Sequence, residues 1–182
     1  LSIPHDTVWS LINNSHHVAG NLLGILASRL RSDNTPIIDT QASKNHFERQ
    51  ASVDALTGIH NRHWMNKAFP RALQRCVRNE HPYAVMVVDI DHFKKVNDTY
   101  GHLIGDLALK TAAKCMTECL RPHDLFARYG GEEFAVLLTE ANLEEAQIVA
   151  ERLRSKMEGI EIRSDDISFH ITLSIGITPT PH

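Results

Sequence analysis

Two groups of acidic residues have the types and spacing for chemistry. Glu132 and Glu133 directly follow a pair of glycines, and Asp89 closes an apolar, β-branched run that is typical of a buried strand. A Gly-Gly pair lets the backbone turn sharply or approach a ligand closely. If Glu132 points to the same side as Asp89, the two carboxylates form a hard-oxygen site for Mg²⁺, completed by a backbone carbonyl, water and a nucleotide phosphate. Such a site suits phosphoryl transfer.

The same string has a simpler interpretation. An ordinary β-hairpin also uses two glycines, and two glutamates after them can be solvated side chains with no ligand. Short motifs match by chance, so the string GGEE at residues 130–133 favours that interpretation when it is taken alone. The surrounding sequence therefore has to decide between a metal site and a plain hairpin.

Hydrophobic periodicity predicts the elements that position these residues. Helices are expected over residues 64–79, 105–120 and 143–157. Strands are expected over residues 83–89, 125–129, 133–139 and 170–177. The order β-α-β-β-α-β is that of an α+β, ferredoxin-like sheet, with a hairpin between two crossovers and helices on one face.

Residues 1–50 differ in pattern from the rest and predict a helical stalk. Apolar residues recur at three- and four-residue steps from Asp6 to Arg31, which predicts a long helix with one apolar stripe. Residues 32–36 have turn composition, and a second helix is expected over 42–54. The apolar stripe must be buried in a dimer seam, against a regulatory partner, or on the chain's own catalytic domain.

Composition limits the compartment and the partners. The chain has 182 residues and a formal net charge of −3, so it has no general field for nucleic acid or an anionic membrane. Its longest apolar stretch is far too short to span a bilayer. Its three cysteines are too few for a disulfide framework, and we interpret them as buried thiols. We expect a cytoplasmic protein with no nucleic-acid partner and no membrane contact.

A set of strings in fixed order gives the hairpin its context. They are DALTGIHNR at 54–62, DIDHFK at 89–94, ND at 97–98, GH at 101–102, GD at 105–106, RYGGEEF at 128–134 and LSIG at 173–176. Together they resemble the GGDEF family of diguanylate cyclases, in its GGEEF variant, over about residues 51–178. The resemblance implies a catalytic domain over residues 51–182, with a palm like that of nucleotidyl cyclases and polymerases.

The resemblance implies an enzyme of bacterial second-messenger signalling that condenses two GTP into cyclic di-GMP and releases two pyrophosphates. Asp89 and Glu132 would be side-chain ligands of Mg²⁺, or of Mn²⁺ in its place, and Ile90 would add its backbone carbonyl. Glu132 would also help to deprotonate the ribose 3′-hydroxyl, with Glu133 in a supporting role. The alternative is a catalytically silent domain that binds GTP or cyclic di-GMP as a sensor.

The resemblance also implies the nucleotide contacts. Asn97 and Asp106 would contact guanine, with His102 nearby, and a carboxylate can accept from guanine N1–H and the 2-amino group together. Phe93 would line the site, and Lys94 would meet the phosphates. Without the resemblance, Asn97 is a good turn former and Asp106 is an acidic residue near a helix start, which are structural roles.

Two further expectations come from the same family pattern. Arg121 and Asp124 match an RxxD product-inhibition site, although a plain loop with Pro122 would also explain them. Asp54, together with Asn61 and Arg62 beyond it, is expected to tie the linker helix to the domain by hydrogen bonds and a salt bridge.

The family's chemistry also bears on assembly and on the end of the sequence. Each domain of the family holds one GTP, so a homodimer is implied. The family continues past the Gly176 strand into a helix whose Lys and Arg hold GTP phosphates, and this sequence lacks that C-terminal part of the domain. We expect this to bear on activity and nucleotide affinity.

Overall fold

The computed structural model of the chain describes residues 52–179. The predicted helix over residues 6–31 and most of the one over 42–54 lie outside this range. The last residues of the second prediction are not helical: Val53 forms an isolated bridge with His60. The physical reason is local, because the Asp54 carboxylate accepts hydrogen bonds from the Thr57 amide and hydroxyl and so closes a turn.

Eleven elements follow in the described part of the chain. They are β1 (His60–Asn61), α1 (Arg62–Arg78), β2 (Tyr83–Ile90), α2 (Phe93–Tyr100), α3 (His102–Cys119), β3 (Leu125–Gly130), β4 (Glu133–Thr139), α4 (Leu143–Glu158), β5 (Ile162–Ser164), β6 (Ile167–Phe169) and β7 (Leu173–Pro179).

The main sheet has five strands in the order β1-β3-β4-β2-β7. Strand β2 lies between β4 and β7 and pairs antiparallel with both, while β3 and β4 form a hairpin. Strand β1 adds to the edge in parallel to β3. Strands β2, β3, β4 and β7 with the crossover helices α3 and α4 make the β-α-β-β-α-β arrangement, so the ferredoxin-like prediction is confirmed.

The sheet is covered on both faces. Met86 and Val88 of β2 and Val136 of β4 are fully buried in the main core, with residues of α3 and α4. Leu137 is also buried but, by strand alternation, faces the other way. Helix α1 packs against β3 and β4 there, with Phe69 buried. The expectation that helices lie on one face is therefore wrong for α1.

The predicted elements are present with shifted ends, and four were missed, of which the two-residue strand β1 is too short to show a pattern. Helix α1 begins at Arg62 because the Asn61 side chain accepts the Trp64 amide at 3.0 Å and caps it. Strand β7 begins at Leu173. Helix α2 and the short β5–β6 hairpin were not predicted, because α2 buries only Phe93 and Val96 and each strand of the hairpin has three residues.

The structure bears on two expectations that came from composition, the state of the cysteines and the presence of membrane-spanning helices. The three cysteines are buried and free, as predicted. None of the helices within residues 52–179 is long and apolar enough to cross a membrane.

Candidate active site

A cluster of carboxylates forms where β2 ends. Asp89 lies opposite Glu133 of β4 in the antiparallel register, and directly paired side chains share one face of a sheet. Glu132 occupies the hairpin tip, and its carbonyl accepts a hydrogen bond from the Ile90 amide at 3.4 Å. The structure therefore brings together the three residues that were predicted as metal ligands, Asp89, Ile90 and Glu132.

The electrostatics of the cluster favour a bound cation. Partial burial and then the negative charges of Glu132, Glu133 and Asp91 raise the pKa of Asp89 to about 6. A carboxyl group among like charges resists ionisation, and a cation at the same place would relieve that repulsion. The donor set of two carboxylates and a carbonyl suits Mg²⁺, which accepts oxygen ligands and keeps several waters.

The candidate metal site has few acidic side chains. Within residues 52–179, no group of three or more His, Cys, Asp and Glu side chains is arranged to hold a metal ion. The residues present fit a metal that the protein holds from one side, with the remaining positions left to water and to a phosphate-bearing ligand.

Asp91 is a neighbour of the cluster that the sequence reasoning did not single out. Its carboxylate accepts hydrogen bonds from the hydroxyls of Thr172 and Ser174, at 2.6 and 2.5 Å. Its amide also donates to the Thr172 carbonyl at 3.0 Å. The spacing of DID at the end of β2 was the available signal, but nothing in the sequence indicated that β7 lies beside it.

Arg128 holds the hairpin tip. Its Nε and Nη2 donate to the Gly131 carbonyl at 3.0 and 2.7 Å, and its Nη1 donates to both oxygens of Asp54 at 3.0 and 3.2 Å. Gly131 needs its glycine, because its φ is +52°. The expected tie between the linker region and the domain is thus a forked ion pair from Asp54 to Arg128.

The other two linker residues act differently from one another. The Asn61 side chain donates to the Val53 carbonyl at 3.2 Å, in addition to capping α1, so the hydrogen-bond prediction holds for it. Arg62 stacks its guanidinium over the Tyr129 ring at 4.4 Å. That is a cation–π contact, and the salt bridge expected of this segment is the one between Asp54 and Arg128.

The residues predicted to contact guanine lie on two consecutive helices. Asn97 is in α2, while His102 and Asp106 are in the first turns of α3, and Gly101 with a φ of +84° joins the helices. Asn97 and Asp106 are partly exposed, and neither side chain has a hydrogen-bond partner among residues 52–179. Their polar atoms are therefore open to a ligand.

The two residues predicted around the nucleotide differ in exposure. Phe93 is buried, at 8% exposure, and its ring packs in the main core. Lys94 is exposed and follows it in the first turn of α2. Its ammonium is therefore free to reach a ligand in solvent, whereas Phe93 contributes mainly packing.

The residues of the predicted product site form a loop between α3 and β3. The Arg121 amide donates to Asp124 Oδ2 at 2.9 Å, and the Asp124 amide donates to the Arg121 carbonyl at 3.0 Å. The residue Arg121 is exposed. A second arginine that sequence reasoning missed, Arg152 of α4, donates to the Cys119 carbonyl at 2.6 Å, two residues before Arg121.

Comparison with known protein families identifies the domain. A family model described as "Diguanylate cyclase, GGDEF domain" matches residues 51–182. The chain belongs to the GGDEF family. The family resemblance drawn from the ordered strings of the sequence is thereby confirmed.

Individual relatives agree with this assignment. The chain is 43% identical over 132 residues to a probable diguanylate cyclase, DgcT of Escherichia coli. The aligned region covers 71% of this chain but 29% of that protein. Among solved structures, the coiled coil and GGDEF domain of DgcB from Caulobacter crescentus, in complex with c-di-GMP, matches with a TM-score of 0.72 at 26% identity, covering 89% of this chain and 82% of that one.

A second solved structure is the diguanylate cyclase SiaD of Pseudomonas aeruginosa in complex with its activator SiaC. It matches with a TM-score of 0.69 at 29% identity and covers 97% of this chain and 66% of that chain. The chain spans about 30% of the length of the first curated relatives it matches.

Proposed function

We propose that this chain carries a diguanylate cyclase activity that condenses two GTP into cyclic di-GMP and releases two pyrophosphates. The observation that carries the proposal is the carboxylate cluster at the end of β2, where partial burial and then the charges of Glu132 and Glu133 raise the pKa of Asp89. Membership of the GGDEF family supports the reaction class.

The proposed metal is Mg²⁺, which Mn²⁺ could replace. Asp89, Glu132 and the Ile90 carbonyl would hold it, and when bound it would supply positive charge to the phosphate oxygens and the attacking hydroxyl. The chain's own part is to keep this end of β2 negative and to hold the hairpin tip in place through Arg128.

The proposed proton acceptor for the ribose 3′-hydroxyl is Glu132. A hydroxyl is a poor nucleophile at neutral pH, so a carboxylate within reach of its proton addresses the main obstacle. Glu132 sits in the hairpin tip beside Ile90 and is partly exposed, as a base that meets a substrate must be. Glu133, across from Asp89 in the register, would support it by its charge.

Selectivity for guanine would come from Asn97 and Asp106, with His102 nearby. The Asp106 carboxylate can accept from two guanine donors at once, whereas adenine offers no such pair. The open side chains of Asn97 and Asp106 support this role. Lys94 would meet the phosphates, and Phe93 would back the site from the core.

Regulation and assembly form the finer part of the proposal. The ring-closing reaction needs two nucleotides that face each other, so a homodimer is proposed. Residues 1–50 would control how two catalytic domains meet, by pairing or by binding a regulatory protein. The solved structure of SiaD in complex with its activator SiaC matches this chain, which supports the second route.

Product inhibition is proposed at Arg121 and Asp124. Arg121 is exposed, and its guanidinium could fork onto a guanine edge or a phosphate of cyclic di-GMP. The relative DgcB was solved in complex with c-di-GMP, which supports product binding by a domain of this kind.

The test is to incubate the full chain with GTP and Mg²⁺ and to measure cyclic di-GMP by chromatography. Glu132→Gln keeps the size of the side chain and removes its charge, so turnover should fall at least a hundredfold while the protein stays folded. Glu144→Gln, an exposed carboxylate on α4, is the matched control and should keep full turnover. ATP should not replace GTP.

Two results would count against the proposal. Near-full turnover of a folded Glu132→Gln variant would remove the role of Glu132. Binding of GTP or cyclic di-GMP without any turnover by the unaltered chain would support the silent sensor in place of the enzyme.

A further inference from the structure

Gly105 of α3 lies directly under the side chain of Asn97. A Cβ atom built on Gly105 would stand 1.9 Å from Asn97 Oδ1, 3.0 Å from Asn97 Cγ and 3.3 Å from Phe93 Cζ. Carbon and oxygen atoms that are not bonded stay more than 3 Å apart, so the Asn97 side chain occupies the space that any other residue at 105 would fill.

The backbone does not require glycine at this position. Gly105 is in the interior of α3, its amide donates to the Gly101 carbonyl at 3.2 Å, and its φ is not in the left-handed region. Glycine in a helix interior costs about 1 kcal/mol relative to alanine. Gly105 therefore weakens the helix, and the structural reason for a glycine at this position is the space left by its missing side chain.

The orientation of the Asn97 amide depends on this packing. The Asn97 backbone carbonyl accepts from the Gly101 amide at 2.9 Å, but its side chain has no hydrogen-bond partner among residues 52–179. Its side-chain position is set instead by the notch at Gly105 and by the buried ring of Phe93. Asp106, the other proposed guanine contact, is the next residue of the same helix turn.

We propose that Gly105 is a positioning residue that sets base selectivity: it provides the notch that holds the Asn97 amide beside Asp106 for the edge of a guanine base. This inference rests on the proposed function, because it takes Asn97 and Asp106 as the guanine contacts. The atom that a Cβ would strike is the end of a movable side chain, so a methyl group at 105 displaces the Asn97 amide and leaves α3 folded.

The experiment is a double-mutant cycle with Gly105→Ala, Asn97→Ala and the double variant in the full chain. The readouts are the equilibrium affinity for GTP and for ATP and the thermal midpoint. Gly105→Ala should weaken GTP binding about tenfold, as expected when one hydrogen bond to the base is lost, and should leave ATP binding unchanged. In the Asn97→Ala background the same change should have no further effect on GTP affinity.

The matched control is Gly159→Ala. Gly159 has a right-handed backbone, and an added Cβ there meets only the Lys156 and Ser155 carbonyls at 3.6 Å, an ordinary contact. This variant should bind GTP like the unaltered chain. The thermal midpoint of Gly105→Ala should stay at or above that of the unaltered chain, because alanine favours the helix.

The outcomes separate the inference from the proposed function. If the unaltered chain does not prefer GTP over ATP, the proposed function fails. If it does, and Gly105→Ala binds GTP normally, or the two losses add in the double variant, the inference alone is wrong. Failure of Gly105→Ala to fold would also overturn it, because the inference requires the side chain of Asn97, and not the helix, to move.

Discussion

Among single residues, Asp89 has a surrounding that opposes the ionisation of its carboxyl group. Burial and three neighbouring carboxylates raise its pKa to about 6, from an ordinary value of 3.8. A carboxyl group whose pKa is raised by folding contributes its stability below the unfolded pKa and loses it as the pH rises through the folded pKa. The free energy of unfolding should therefore fall between about pH 4 and about pH 6 on account of Asp89.

Asp89→Asn should stabilise the protein when no divalent metal is present. At about pH 8 the variant removes a repelled charge, and the gain in unfolding free energy should be about 1 kcal/mol after allowance for solvent screening. The gain should shrink as the pH falls toward 4. Denaturant melts in a chelating buffer measure it, with Asp98→Asn, an exposed carboxylate, as the control. Equal gains at pH 8 and pH 4 would contradict the electrostatic explanation.

Arg121→Ala should reduce inhibition by cyclic di-GMP and preserve the initial rate. The guanidinium offers a fork of donors that a single ammonium does not reproduce, so Arg121→Lys should also lose most of the inhibition. Initial rates at rising product concentration measure the effect. Arg71→Ala, an exposed arginine on α1, is the control. Unchanged inhibition in Arg121→Ala would place the product elsewhere.

The sequence predicted some residues of the site better than others. Asp89 and Glu132 could be predicted because they are carboxylates in recognisable strings. Asp91 and Gly105 also belong to such strings, but their importance depends on contacts made across the fold, with Thr172 of the segment before β7 and with Asn97 of α2. A single sequence carries no direct record of such distances.

At the scale of elements, Arg128 joins two turns that are far apart in the chain. It binds the Asp54 carboxylate in the turn before β1 and the Gly131 carbonyl in the hairpin tip. Burial of Asp54 would raise its pKa, but the hydrogen bonds from Thr57 and the contact with Arg128 outweigh that and lower it. The stability that this carboxylate contributes is present above pH 3.8 and is lost as the pH falls through its lowered pKa.

Arg128→Lys should weaken the connection that Arg128 makes between the Asp54 turn and the hairpin tip. Lysine can reach one partner but cannot serve both with parallel donors, so the unfolding free energy should fall by about 1–2 kcal/mol. Arg154→Lys is the control, because Arg154 makes exposed pairs on α4 that contribute little. Denaturant melts at neutral pH compare the two variants. An equal, small loss in both would show that the connection adds no more than a surface pair.

Elements with strong periodicity were predicted, and those without it were missed. Strand β2 and helix α4 have clear apolar patterns and were placed to within a residue or two. Helix α2 is short and mostly polar, and it is held by Phe93 and Val96 packing into the core. The β5–β6 hairpin likewise depends on a tertiary contact, the stacking of Phe169 on Tyr100 at 5.1 Å.

At the scale of the whole molecule, removal of residues 1–50 should weaken pairing of the catalytic domains. The apolar stripe predicted between Asp6 and Arg31 needs a cover, and the reaction needs two domains. The shortened chain should sediment mainly as a monomer, and its cyclase rate per chain should rise steeply with protein concentration. Sedimentation and initial rates over a range of concentrations test this. The same association state and the same rate in both chains would exclude control by residues 1–50.

The pairing of β2 with β7 also bears on how the protein folds. The contact between Asp91 and Thr172 closes a loop of 81 residues, and β2 is flanked by partners that both come later in the chain. Long-range strand pairing is slow, whereas α3 and α4 can form locally in microseconds. During synthesis one edge of β2 therefore stays unpaired until β7 has been made. During refolding the circular dichroism signal of the helices should return well before nucleotide binding does, because the contacts of the acidic end of β2 with the β7 segment form last.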